Sequence, residues 1–207
     1  MLLQKRLSPG AFNLIMGGVV LYGLLANVLI SLLFRPFLQS LDLVGLVVGW
    51  LVSFFIGLFC ARSQKLWLRI LAFHLIVVPF GLLLSAVLGV YSGNQVLLAI
   101  TMTAIITAGM ILLSGCFPRF FERLGGVLLL SLCLTLVVSV VAWFMDFHLS
   151  LYSVVFISIF SLYIGYDWYK AQTCEKTLAN AIDFAIDLYL DITNIFLDLL
   201  DLIDWLD

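Results

Sequence analysis

The sequence predicts an all-α polytopic membrane protein, a bundle of seven transmembrane helices forming a single integral membrane domain over residues 1–207. Three observations lead there. Hydrophobic residues make up 64% of the chain and charged residues 11%, a balance that would leave a soluble globule with apolar surface it could not bury. The apolar residues fall into runs of about 20, the length that crosses a hydrocarbon core as a helix. The polar interruptions between these runs are short and carry most of the basic side chains.

The first run, about 11–34, is too long for the core of a signal peptide and lacks a small-residue cleavage site, so it reads as a retained span. Further spans are expected at about 41–61, 66–90, 95–117, 124–145, 149–174 and 182–206. The connections are then RPFLQS, RSQK, YSGN, PRFFER, DFH and CEKTLANA. In the second span Gly45 and Gly49 form a G-x-x-x-G, which favours close helix packing. In the third, His74 precedes Pro79 in LAFHLIVVPFG, and a hydrogen-bonded histidine beside a proline kink is favoured over a proton relay.

Basic residues set the expected orientation, because short loops rich in Lys and Arg stay in the cytoplasm. Lys5, Arg6, Arg62, Lys65, Arg69, Arg119, Arg123, Lys170 and Lys176 fall on one side, and only Arg35 falls on the other. The N-terminus is therefore expected in the cytoplasm and, after seven spans, the C-terminus outside. A net charge of -2 without a basic run argues against nucleic acid as a partner. Cys60, Cys116, Cys133 and Cys174 show neither disulfide nor zinc spacing.

The last span, IDFAIDLYLDITNIFLDLLDLIDWLD, carries seven aspartates. At 100° per residue Asp183, Asp187, Asp191, Asp198, Asp201 and Asp204 share an arc of about 140°, with Asn180 and Asn194 in the same sector. One face is thus polar and directed into the bundle, the other compatible with lipid. Asp183 and Asp187 suit the positive end of the helix dipole, and Asp201, Asp204 and Asp207 suit solvent at the outer end. Asp191 and Asp198 remain as deep acids. Asp167, in SLYIGYDWYK, is another, and it lies level with Asp191 in an antiparallel hairpin whose turn centres near Ala179. Two carboxylates in a weakly polar site cannot easily both ionise, so such a pair holds a proton as a unit. It could sense pH or offer oxygens to a hard cation such as calcium, weakly, because a tight calcium site takes six to eight ligands.

The segments SLYIGYD at 161–167 and LYLDITNIFLDLL at 188–200, whose aspartates stand 24 residues apart, resemble those that close the chain in the Bax inhibitor motif family of small membrane proteins. The resemblance implies a seven-helix bundle with a central last helix, acting as a pH-sensitive calcium leak. It implies that Asp167 and Asp191 form the sensor and gate, touched weakly by calcium, and that Arg62 in FCARSQK is a latch on them. Leu51 stands where some relatives carry an acid, so Asp187, Asn194 and Asp198 are the candidates for the rest of an ion path.

The leading expectation is therefore a calcium-permeable channel in the cytoplasmic membrane of a bacterium, with the bilayer, calcium ions and protons as partners and no cofactor. A protein that modulates membrane proteases or cell-death factors through contacts with other membrane proteins is the first alternative, and a proton-coupled transporter the second. No P-loop, H-E-x-x-H or dinucleotide fingerprint is present, and Asp167 follows GY rather than the G-x-G of intramembrane aspartyl proteases, so an enzyme is not expected.

Overall fold

The computed structural model describes residues 6–38, 43–63, 65–144 and 151–207. Their elements are α1 (Pro9–Leu38), α2 (Leu43–Ala61), α3 (Leu66–Val87), α4 (Gly93–Cys116), α5 (Pro118–Glu122), α6 (Gly125–Phe144), α7 (Leu151–Thr173) and α8 (Leu178–Leu206). The seven long helices coincide with the seven expected spans. Among the described residues, α1 to α4 are each long and apolar enough to cross a membrane. The chain is thus an all-helical polytopic membrane protein. The DFH connection lies outside the described residues.

Three boundaries differ from expectation. PRFFER is not merely a connection: Pro118, whose missing N–H and fixed φ suit a first helical position, starts the short helix α5. α1 runs on through Arg35 and Pro36 to Leu38. α8 starts at Leu178 rather than near 182, because Thr177 caps it, its hydroxyl accepting from the Asn180 N–H at 3.2 Å. The α7–α8 connection is therefore only Cys174–Thr177 and does not centre on Ala179.

The chain forms two compact units. The first comprises Met1–Val90 and Cys174–Tyr189, the second Tyr91–Thr173 and Leu190–Asp207. In the first unit α3 packs against both α1 and α2. Pro79 cannot donate to the carbonyl of Leu75 four residues earlier; Ser53 on α2 does so instead, its hydroxyl 2.7 Å from that oxygen. His74 is satisfied within the same unit. Its Nδ1 donates to the Ile70 carbonyl at 2.8 Å, which leaves Nε2 to accept from the Tyr22 hydroxyl at 3.1 Å. The close approach of α2 to α3 falls at Gly57, where a Cβ would lie 2.9 Å from Ile76 Cγ1. Gly49 of the G-x-x-x-G faces open space.

In the second unit α7 is the hub, packed against α4, α5 and α6. The glycine of SLYIGYD makes this possible. A Cβ on Gly165 would sit 2.1 Å from Phe121 Cε1, so only glycine lets the buried Phe121 of α5 lie against α7. Ser114, at the end of α4, donates to the Gly165 carbonyl at 2.6 Å and fixes the same spot. Gly165→Ala is expected to cost about 1–3 kcal/mol through overpacking, read as a lower unfolding midpoint in detergent. Gly109→Ala, whose Cβ meets no neighbouring atom, should be neutral or slightly stabilising in the same assay.

Candidate functional site

A lone carboxylate in the middle of a hydrocarbon layer costs at least about 2.5–3.5 kcal/mol, so the acids of α8 need partners. In the second unit the buried Asp191 side chain comes within hydrogen-bonding reach of that of Asp167 on α7. The expected pair does come together. Carboxylates only accept, so a bond between two of them requires that one carry a proton. Tyr163, one turn before Asp167, is within electrostatic reach of both acids, with Cys133 and Tyr166 nearby. Lys170, one turn after Asp167, is the nearest cation, and its Nζ rests 5.3 Å from the centroid of the Tyr166 ring.

Further along α8, Asn194 turns its amide back to donate to the Leu190 carbonyl at 2.8 Å. Asp198 is half-buried, with Asp201 as its nearest charged neighbour. At the far end Tyr91 donates to Asp201 at 3.3 Å. Burial first, and then the Asp201 and Asp204 carboxylates, push the Tyr91 phenol up to about 12. The neutral donor is therefore fully kept below the ordinary phenol value near 10 and lost only as pH rises through about 12. Gln95 has two tasks: its Oε1 accepts from the Ser92 N–H at 2.8 Å to close the capping box of α4, and its Nε2 donates to Asp204 and Asp207 at 3.2 and 3.0 Å.

In the first unit the acid of consequence is Asp183. Arg69, 7% exposed in the first turn of α3, forks one nitrogen onto both Asp183 oxygens and donates from Nε to the Ser63 carbonyl at 2.8 Å. Asp183 is therefore structural, as expected, but through a buried ion pair rather than a helix dipole. Asp187 is exposed on α8. Arg62, the expected latch, is exposed in the turn after α2. Among the described residues no group of three or more His, Cys, Asp or Glu forms a metal cluster. The carboxyl pair alone supplies far fewer oxygens than the six to eight of a resident calcium site.

A family model described as Inhibitor of apoptosis-promoting Bax1 matches residues 4–205. The chain belongs to the Bax inhibitor-1 family. A comparison with curated proteins finds no match. The family match spans nearly the whole of this Bax inhibitor-1 chain, so it covers α1 to α3 and Arg69 as fully as the acidic signature of the last third.

Arg69 and Tyr163 are the residues that sequence reasoning passed over. An arginine four residues into an otherwise apolar helix is a signal for a buried partner, but counted as one of nine basic residues it looked like a loop anchor. Asp183→Asn should leave Arg69 buried and uncompensated. The expected loss is about 2 kcal/mol, below the ~3–5 kcal/mol of a fully buried pair because the Asp183 side chain is 39% exposed. Unfolding in detergent checks this.

Proposed function

We propose that the protein is a pH-sensitive, calcium-permeable leak channel gated by Asp167 and Asp191, with Arg62 as latch. The observation that supports this is the approach of the two carboxyl side chains to hydrogen-bonding reach across α7 and α8. A helix contact that exists only while a proton is held links helix packing to pH. Losing the proton replaces attraction with repulsion between like charges in a poorly screened setting. The pair also suits a passing cation better than a stored one, since conduction needs sites weak enough to leave. Asp198, two turns further along α8, and Asn194 continue the polar stripe toward the outer end.

Direction follows from charge. The fully ionised pair carries two negative charges and attracts the basic latch most strongly, which favours closure; one proton halves that charge and releases it. Full protonation removes the attraction for cations. Flux is therefore expected to be bell-shaped in pH. The N-terminus is placed in the cytoplasm and the C-terminus outside, on the strength of the nine-to-one split of basic residues.

Calcium flux into dye-loaded liposomes tests the gate. Asp167→Asn and Asp191→Asn should each flatten the pH response, and the double variant should add little, because members of one unit are not additive. Arg62→Ala should hold flux high on the alkaline side only. Additive single effects would rule out the pair, absence of flux in the native protein would rule out the channel, and flux only under an imposed proton gradient would point to a coupled transporter.

Orientation is checked with single cysteines in a protein lacking its four native ones. Ser92→Cys should react with an impermeant reagent from outside, and Ser63→Cys should not. The reverse pattern would invert the topology.

A further inference from the structure

The first unit contains an elongated cavity of about 260 Å³ between α1, α3 and the start of α8. α1 contributes Ile15, Val19 and Tyr22, spaced by four and three residues, and α3 contributes Leu66, Ile70 and His74, spaced by four. Each set follows one side of its helix for seven or eight residues, so the cavity is a track about 10–12 Å long parallel to the helices. Ile182 closes it from α8. Its inner end is the Tyr22–His74 pair, whose polar atoms already satisfy each other. Its other end is at Leu66, the first residue of α3, and Leu178, the first of α8.

That end is basic. Lys65 immediately precedes Leu66 and is exposed, Arg62 is exposed three residues earlier, and Lys176 lies two residues before Leu178 with its Nζ 4.9 Å from the centroid of the Phe12 ring. The acids nearby do not cancel this charge, because Glu175 is paired with Arg6 and Asp183 with Arg69. Trp67, 60% exposed beside Leu66, is the residue type that settles at a membrane–water interface. A narrow apolar track ending at the exposed Lys65 and Arg62, beside an interfacial tryptophan, matches one molecule type: a chain of hydrocarbon with an anionic head.

We infer that this track binds one acyl chain of an anionic phospholipid, with the headgroup phosphate held at Lys65 and Arg62. The polar seal at Tyr22–His74 limits how deep the chain reaches. The site uses none of the carboxyl pair, and it stands whether or not the protein conducts calcium.

Native mass spectrometry of protein exchanged into detergent with equal phosphatidylglycerol and phosphatidylcholine tests it. Wild-type protein should retain one phosphatidylglycerol, favoured about five-fold, the preference a single lysine near a membrane surface supplies. Val19→Trp and Ile70→Trp, both at half-exposed positions that fill the track, should lose the bound lipid while keeping the wild-type unfolding midpoint. Lys65→Glu should retain lipid without the preference, and Leu112→Trp, on the exposed face of α4, should behave as wild type. Equal retention of the two lipids by wild type, or phosphatidylglycerol still held by whichever of the two track-filling variants keeps the native midpoint, overturns the assignment.

Discussion

The cost of placing carboxylates on a helix that runs through hydrocarbon governs this fold. α8 carries six aspartates, with Asp207 just beyond its end, and several of them meet a partner suited to their place, while the half-buried Asp198 has only the like charge of Asp201 beside it. Asp183 has Arg69, a full opposite charge. Asp191 has Asp167, another acid. At the outer end, where solvent shares the work, Asp201, Asp204 and Asp207 need only the neutral donors Tyr91 and Gln95. The same aspartate side chain is thus handled by ion pairing, by a second carboxyl and by neutral hydrogen bonding along one helix.

Much of this was legible in the sequence, because the constraints act at the scale of whole segments. Hydrophobic run length found all seven long helices, and helical periodicity put the aspartates on one stripe. The expected pairing of Asp167 with Asp191 rested on a premise that the structure does not bear out. It assumed a simple hairpin turning at Ala179, whereas Thr177 caps α8 earlier and the first twelve residues of α8 belong with α1 to α3. What the sequence did not disclose were contacts that depend on side-chain fit. Gly165 looked like an ordinary membrane glycine, yet it seats Phe121, and Gly49 looked like a packing motif, yet it faces open space. Ser53 shows no sign in its own neighbourhood that it answers the carbonyl freed by Pro79.

The polar links inside the two units differ in what a change of pH can do to them. In the first, Asn27 donates to the hydroxyl of Tyr189 at 2.6 Å, and Tyr189 is fully buried against Phe73, Phe80 and Gly23. An amide and a phenol carry no charge near neutrality, and Arg69 with Asp183 attract without any intervening proton. These contacts hold α1, α3 and the start of α8 alike on either side of neutral pH. In the second unit the corresponding contact between α7 and α8 is made by two acids. That difference, neutral or ion-paired contacts in one unit against a carboxyl pair in the other, is what the proposed pH dependence rests on.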